Sequence, residues 1–282
     1  MINPQHVLLL HHLRTFLDQA AEAGIPAAPL KGAHLITSVY PMKEDRGGMC
    51  DVDVLVRPRD FQRAGQVLEG MGYKRRELPQ RRRTEAEFYE AGYALELQGG
   101  RRVLLELHRQ LVQIRRHPVN YNALWGRATP GDLDGAPCLR LSPEDHLLHA
   151  ALHLMTDRFK APARALRDVA LLITSGGADL DIVTARARRW RCERALWLLL
   201  SLLHEVSPEL ELTAALSRLS PPRPVRHALR TLVPNVDGLR WPALGKRSGQ
   251  VVVWPLLFDG VGPLLGFTAA YARLRLADLI QP

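Results

Sequence analysis

The chain has 282 residues, of which 46% are apolar, and a formal net charge of +9. This length supports one large hydrophobic core or two smaller ones. The three scattered cysteines, Cys50, Cys138 and Cys192, lack zinc-type spacing and give no support for a disulfide framework. No cationic segment leads into an apolar one at the N-terminus, and the apolar stretch 195–203 is too short to span a bilayer. We therefore expect a soluble, cytoplasmic protein.

The first half of the chain alternates between helical and strand-like segments. Asn3-Pro4 is typical of a helix start, and apolar residues then recur on one helical face up to Gly24. A short strand at 25–30 leads through Lys31-Gly32 into a second helix, which Pro41 ends. The elements predicted next are a loop at 43–48, a strand at 51–56, a helix capped by Asp60 and closed by Gly72, a charged linker at 75–87, and strands at 88–98 and 101–108 joined by a two-residue turn at Gly99-Gly100.

The second half is almost entirely helical in pattern. Before it, Asp132 to Gly135 predicts a turn, and 138–141 predicts a last short strand. Ser142-Pro143-Glu144-Asp145 then has the features of a helix N-terminus. This change predicts an α/β domain over 1–135, followed by an all-α domain over 136–282. The helices predicted there cover about 143–156, 162–175, 181–205, 208–219, 223–233 and 263–279.

Two aspartates, Asp51 and Asp53, stand two residues apart in the strand that ends at Val56. Successive side chains alternate between the faces of a strand, so both carboxylates share one face while Val52 and Val54 point into a core. Adjacent carboxylates repel each other, and a divalent cation compensates that repulsion. Mg²⁺ prefers one or two carboxylates together with water and phosphate oxygens. The pair predicts a metal site, although Asp-x-Asp also occurs by chance on exposed strands.

A later strand offers a third carboxylate. Glu106 has apolar flanks, where a carboxylate is costly to bury unless it is paired or bound to a metal, and it shares a face with His108. If this strand lies beside that of Asp51 and Asp53, three carboxylates converge, as two-metal displacement at phosphorus requires. Glu96 is the rival acid, but the more apolar flanks favour Glu106. A solvent-facing Glu106 on a half-exposed strand is the structural alternative.

The segment Lys31-Gly32 forms a turn from a strand into a helix. Glycine lets a phosphate approach the backbone, and the free N–H groups of the following helix attract anions, to which Lys31 adds its charge. Taken alone, the segment is also consistent with a helix-entry glycine beside a surface lysine. Arg46, in the loop before the aspartate strand, either contacts a triphosphate or is solvated.

Together these motifs resemble those of a known family. The resemblance is specific in its Lys-Gly, Arg and Asp-x-Asp block, and it extends more weakly to about residue 205. The chain is similar in these residues to the bacterial uncharacterised nucleotidyltransferases of the polymerase-beta-type superfamily. The motifs that carry the resemblance are Leu30-Lys31-Gly32, Tyr40-Pro41, Arg46, Asp51 to Val56, Gly72-Tyr73 and Leu105 to His108, and, more weakly, Asp145 to His149 and Leu166 to Leu172.

The resemblance implies an N-terminal catalytic domain and a helical domain that closes a cleft and selects the acceptor. It implies transfer of an NMP from an NTP, expected to be ATP, with release of pyrophosphate and with Mg²⁺ or alternatively Mn²⁺ as cofactor. The acceptor is expected to be a protein or peptide, a small molecule or RNA. Asp51, Asp53 and Glu106 would be the catalytic residues and metal ligands. The residues expected to bind the nucleotide are Lys31, Gly32, His34, Arg46 and His108.

The chain departs from the superfamily pattern at two positions. Ala33 follows Gly32 where the superfamily usually has glycine or serine, so a serine hydroxyl for phosphate is missing. Lys31, His34 and Thr37 are the nearby residues that can compensate. The third carboxylate is Glu106 rather than the commoner aspartate, which lengthens its reach by one methylene.

Two other functions stay open at this point. A catalytically inactive nucleotide-binding or antitoxin-like scaffold is favoured by Ala33, and a basic RNA-binding protein is permitted by the net charge. We expect His146, His149 and His153 to line a cleft rather than to bind a metal or the acceptor, and we expect Arg167 and Asp168 to form a structural pair. The basic clusters 81–83 and 186–191 are expected to be solvated, with contact to acceptor RNA or to phosphate as the alternative.

Overall fold

The computed structural model describes residues 4–41, 46, 48–76, 89–112, 117–156 and 162–233, together with most of 253–269. It divides into two compact units. The first contains the described residues up to 112 together with 121–142, and the second contains 117–120 and the described residues from 143 onward. The predicted linker at 75–87 and the predicted last helix at 263–279 lie mostly outside the described residues, and so does most of the predicted loop at 43–48.

The first unit is built on a five-stranded mixed sheet. Its strands are β1 (Ala27–Leu30), β2 (Val52–Val56), β3 (Lys74–Arg75), β4 (Glu90–Glu96) and β5 (Arg102–His108). Their spatial order is β1-β2-β5-β4-β3. β2 and β5 are parallel neighbours, whereas the other three pairs are antiparallel. The predicted α/β class, followed by a helical region, is therefore confirmed.

One face of this sheet forms the hydrophobic core. Every second residue of β2 and β5, including Val52, Val54, Leu105 and Leu107, is fully buried and belongs to one apolar cluster with three of the helices. Because side chains alternate along a strand, Asp53, Glu106 and His108 are left on the opposite face. The helices of this unit are α1 (Pro4–Glu22), α2 (Lys31–Ser38), α3 (Phe61–Gly70) and α4 (Tyr121–Arg127), of which α1, α2 and α3 contribute to the cluster.

The register between β2 and β5 places Asp53 directly beside Glu106. A slip of one residue would turn the valines of β2 away from the core, so burial of those valines fixes this register. The condition for convergence of the acids, that the Glu106 strand lies beside the Asp53 strand, is met.

A two-stranded hairpin completes the first unit. β6 (Thr129–Leu133) and β7 (Ala136–Arg140) are joined at Asp134 and Gly135, which have φ values of 50° and 91°. Two successive positive φ values are typical of the tight turns that match strand twist. The predicted turn is confirmed, and the last strand begins at Ala136 rather than at Cys138.

Two local expectations in the first unit are wrong. The loop between β4 and β5 is not a two-residue turn. β4 ends at Glu96, β5 begins at Arg102, and a short 3-10 turn, Gln98–Gly100, lies between them. Asp60 does not cap α3 with its side chain. It ends a 3-10 turn and accepts a hydrogen bond from Arg63 instead.

The second unit is a cluster of helices around one apolar helix. Its helices are α5 (Pro143–Thr156), α6 (Pro162–Thr174), α7 (Leu180–Trp190), α8 (Glu193–Val206), α9 (Thr213–Leu219) and α10 (Arg223–Leu232). α8 is buried on nearly all sides between Ala195 and Leu203, as expected for a helix at the centre of a core. Among the described residues, no helix combines the length and the apolar character needed to cross a bilayer.

The single helix predicted at 181–205 is in fact two helices, α7 and α8. Arg191 ends α7 in the left-handed conformation, with φ 52° and ψ 51°, and the Cys192 N–H donates back to the Ala187 carbonyl. The Asp259 carboxylate then accepts hydrogen bonds from the first backbone N–H groups of α8. The apolar periodicity continues across the break, which is why it predicted one helix. The helix predicted at 208–219 is also shorter, because it begins at Thr213.

The basic cluster at 186–191 is only partly solvated. Arg186 has a side chain only 11% exposed, and it lies 2.7 Å from the buried Asp145 and 3.6 Å from Glu144 in α5. Loss of one partner from a buried ion pair leaves an uncompensated charge, so this pair ties α7 to α5.

We expect Arg191→Gly to stabilise the protein, because glycine adopts the left-handed conformation without the steric cost that arginine carries. The free energy of unfolding should rise by about 0.5–1 kcal/mol. Arg189→Gly is the matched control inside α7, where the same change should lower it by about 1 kcal/mol. Urea unfolding followed by circular dichroism measures both, and equal losses in the two variants would contradict the assigned helix end.

Candidate active site

The polar face of the sheet carries a compact group of ionisable side chains. Asp53 is the second residue of β2, with its side chain 5% exposed, and His108 ends β5 with its side chain 1% exposed. Glu106 is half-buried and is the register partner of Asp53. Parallel pairing of two central strands therefore brings these three side chains together on the face that the core does not use.

Two cationic or hydrogen-bonding groups converge on one oxygen of Asp53. The Lys31 ammonium donates to Asp53 Oδ1 at 2.6 Å, and His108 Nε2 lies 2.9 Å from the same oxygen. Glu106 Oε2 lies 3.9 Å from Lys31 Nζ and 3.8 Å from His108 Nε2. The buried carboxylate of Asp53 is thus compensated from both sides, as a buried charge requires.

These contacts shift the pKa values of the two partners in opposite directions. Burial alone would raise the pKa of Asp53, but Lys31 and His108 hold it well below its usual range. Burial alone would lower the pKa of Lys31, but the charge and hydrogen bond of Asp53 raise it, with help from Glu106 and Glu90. Asp53 is therefore an anion, and Lys31 a cation, throughout the physiological pH range.

Glu106 has a different electrostatic environment. Burial raises the pKa of its carboxyl, and the neighbouring charges of Asp53, Glu90 and Asp51 raise it further, while Lys31 opposes them. The site therefore contains more carboxylates than cations. A second positive charge near Glu106, such as a bound metal ion, would favour the ionised form of its carboxyl.

The ligand atoms of Asp53, Glu106 and His108 lie within 4.8 Å of one another and could hold one metal ion. Carboxylate oxygens suit Mg²⁺ and Mn²⁺, and an imidazole nitrogen is accepted more readily by Mn²⁺ and later transition metals. The sequence predicted Asp51, Asp53 and Glu106 as the ligands. Asp51 lies just before β2, half-buried, and it acts on Glu106 through its charge.

The predicted nucleotide-binding turn is built around Gly32. A Cβ atom on Gly32 would lie 2.5 Å from the Arg46 guanidinium and 2.9 Å from the Met49 sulfur, so glycine leaves room for both. Arg46 is buried against this turn, and the Met49 N–H donates to His6 of α1. Lys31 itself has a φ of 45°, a left-handed conformation that non-glycine residues seldom adopt.

Two further groups, His34 and Ala33, lie inside α2 and are both buried. Burial lowers the pKa of His34 to about 4, and the charge of Arg140 in β7 lowers it in the same direction. His34 is therefore neutral, and the charge that acts on its pKa is Arg140 rather than the carboxylates of the site. Its predicted role in nucleotide binding stays a prediction.

The site contains one residue that the sequence did not single out. Glu90 begins β4 opposite His108, and its Oε2 lies 3.4 Å from His108 Nδ1. The alternation of Ala91, Tyr93 and Leu95 would have placed Glu90 on the polar face, but only the pairing of β4 with β5 places it at the site. Glu96, the rival acid, is exposed at the other end of β4, where it faces Arg102.

The histidines of the helical unit form no comparable group. His146 and His149 of α5 are buried, and the ring of His153 lies 6.0 Å from that of His149. Within the part of the chain that the structure describes, Asp53, Glu106 and His108 are the group with metal-binding geometry.

The sequence of residues 1–208 matches the family described as uncharacterised nucleotidyltransferase. The chain belongs to this family. The resemblance predicted from the Lys-Gly, Arg and Asp-x-Asp motifs is therefore confirmed, as is the assignment of the protein to the transferases that move nucleotidyl groups. No curated protein sequence matches the chain significantly.

Several solved structures resemble the protein distantly. The antibiotic-resistance factor ANT(2'')-Ia in solution is 16% identical, with a TM-score of 0.45 over 64% of this chain and 92% of its own. An antigenic nucleotidyltransferase-like protein from Paracoccidioides brasiliensis is 16% identical, with a TM-score of 0.43 over 74% of this chain and 92% of its own. ANT(2'')-Ia in complex with adenylyl-2''-tobramycin is 15% identical, with a TM-score of 0.41 over 64% of this chain and 96% of its own.

The low pKa of His34 predicts a pH dependence of stability. The unfolded chain binds a proton at this histidine below about pH 6.5, while the folded protein does so only near pH 4. The contribution of His34 to the free energy of unfolding is therefore fully present above pH 6.5. It falls by about 2–3 kcal/mol as the pH falls toward 4. His34→Gln should remove this part of the pH slope of the unfolding free energy.

His11→Gln is the matched control, because His11 is an exposed histidine of the same unit. Urea unfolding between pH 4 and pH 7 gives the slopes. A slope that is the same in wild type and His34→Gln would mean that His34 is not buried as a neutral group.

Proposed function

We propose that the protein catalyses Mg²⁺-dependent transfer of an NMP from an NTP to an acceptor, with release of pyrophosphate. The observation that carries this proposal is the buried Asp53 carboxylate, with Glu106 and His108 on the neighbouring parallel strand, inside a chain of the nucleotidyltransferase family. The acceptor oxygen attacks the α-phosphorus of the NTP, and the bond to the pyrophosphate oxygen breaks.

The residues proposed to hold the metal are Asp53 and Glu106, with His108 or Asp51 completing the set. The donor chemistry fits, because both carboxylates lie on rigid strands and a divalent ion would offset their mutual repulsion. When bound, such an ion stabilises the negative charge that develops on the transferred phosphoryl group. Mn²⁺ is the expected substitute, since the set includes an imidazole.

The residues proposed to bind the nucleotide are Lys31, Gly32 and Arg46, with His34 and His108 as the other predicted contacts. Gly32 leaves room for the Arg46 guanidinium at the start of α2, where the free N–H groups of a helix attract phosphate. The buried guanidinium of Arg46 and the ammonium of Lys31 flank that turn and add two positive charges. Together they would orient the triphosphate relative to Asp53 and hold its leaving oxygens.

The second domain, proposed over residues 136–282, is expected to select the acceptor. The proposal leaves the class of acceptor open among a protein or peptide, a small molecule and RNA. ATP is the NTP to test first.

The catalytic proposal predicts that Asp53→Asn abolishes transfer. Loss of the buried carboxylate removes a metal ligand and should lower the rate by at least about 100-fold. Asp51→Asn and Glu106→Gln should lower it as well if they serve the same site. The assay incubates the full chain with Mg²⁺ and α-labelled NTPs against a panel of acceptors, and it follows labelled product and pyrophosphate.

Glu96→Gln is the matched control, because Glu96 is an exposed acid of the same sheet. This variant should transfer label at the wild-type rate. Asp53→Asn with undiminished transfer would refute the proposal. NTP binding without any turnover in the wild type would favour the inactive scaffold, a second candidate that the Ala33 departure supports.

A further inference from the structure

We propose that Lys31 is a built-in counter-cation for Asp53, which a divalent ion must displace, and that the displaced ammonium then pairs with the phosphates of the nucleotide. This inference rests on the proposed function, and it assigns to Lys31 a role in the order of ligand binding. Lys31 would link metal binding to nucleotide binding, in addition to contacting the nucleotide.

The first observation is the contact itself. The ammonium of Lys31 donates to Asp53 Oδ1 at 2.6 Å and lies 3.9 Å from Glu106 Oε2. These are two of the three side chains whose ligand atoms converge within 4.8 Å. A divalent ion bound between those carboxylates would therefore meet a positive charge at contact distance, and the two repel each other strongly.

The second observation is the backbone of Lys31. Leu30 is the register partner of Asp53 across β1 and β2, so the next residue along the chain starts from the edge of the site. Lys31 takes a φ of 45° there, at a cost in stability that a non-glycine residue bears only where its surroundings hold it. Its contacts with Asp53 and Glu106 supply that restraint.

The third observation is the position of the Lys31 side chain next to the proposed phosphate-binding turn. A displaced ammonium needs another anion nearby. The side chain is 21% exposed, and the next residue, Gly32, begins the turn proposed to receive the phosphates.

It follows that metal and nucleotide bind cooperatively. A metal ion alone must break the Lys31–Asp53 ion pair without compensation, whereas in the presence of an NTP the ammonium exchanges one anion for another. Each ligand then raises the affinity for the other by the same factor, as thermodynamic linkage requires.

The test measures Mn²⁺ affinity of the full chain from the electron paramagnetic resonance signal of unbound Mn²⁺, with and without a non-hydrolysable ATP analogue. Lys31→Met should tighten Mn²⁺ binding by about tenfold in the absence of nucleotide, because it removes the competing charge. It should also reduce the gain in Mn²⁺ affinity that the analogue produces. Lys31→Arg should stay close to wild type.

Lys74→Met is the matched control, since Lys74 is an exposed lysine of the same sheet, and it should leave Mn²⁺ affinity unchanged. Lys31→Gly is a second variant that removes the charge and suits the left-handed backbone, so it guards against misfolding of Lys31→Met. Circular dichroism confirms that each variant folds. Mn²⁺ affinity that is unchanged or weaker in both Lys31 variants would overturn the inference, as would a wild type that binds no Mn²⁺.

The outcome is separable from that of the proposed function. Mn²⁺ binding that is lost in Asp53→Asn and tightened in Lys31→Met supports the inference even when no acceptor accepts a nucleotide. Transfer that depends on Asp53 but with Mn²⁺ affinity insensitive to Lys31 overturns the inference alone.

Discussion

The ionised carboxylate of Asp53 is buried near the middle of the sheet, and the arrangement around it follows from the need to compensate that charge. A carboxylate that is 5% exposed would be strongly destabilising without partners. Lys31, which directly follows β1, and His108 of β5 approach the same oxygen from the two sides of β2, so the compensation depends on the strand order β1-β2-β5. The cost of this burial is the physical argument on which the proposed function rests.

The fold keeps this site in place through apolar packing and a few polar contacts. Valines and leucines of β2 and β5 fix the register from the core side, because a one-residue slip would exchange the two faces. The Met49 N–H donates to the buried His6, which ties the segment before β2 to α1. Gly32 lets Arg46 and Met49 pack against the start of α2. Positioning is therefore shared between the apolar core and a few polar contacts.

Much of the site could be predicted from the sequence because period-two alternation is a local property. It placed Asp51 and Asp53 on one face, and Glu106 with His108 on another strand, before any pairing was known. The choice of Glu106 over Glu96 followed from apolar flanks, and in the structure Glu106 lies half-buried beside Asp53 whereas Glu96 is exposed. What joined the strands was the resemblance to a family, because adjacency of β2 and β5 is not a local property.

Other features depend on tertiary contacts and left no local signal. Glu90 contacts His108 only because β4 and β5 pair in an antiparallel arrangement. The apolar alternation around Glu90 places it on the polar face but does not show which residue lies opposite. The break at Arg191 was missed because a left-handed arginine replaces the glycine that usually marks a helix end. The Asp259 cap on α8 comes from a segment more than sixty residues away along the chain.

The most direct test of the central claim is the position of a bound metal ion. Crystals grown with Mn²⁺ and a non-hydrolysable ATP analogue would show it by anomalous diffraction at the manganese edge. The account predicts a peak within coordination distance of Asp53 and Glu106, about 2.2 Å, with Lys31 no longer bonded to Asp53. A peak elsewhere in the protein, or Lys31 still paired with Asp53 beside a bound nucleotide, would contradict it.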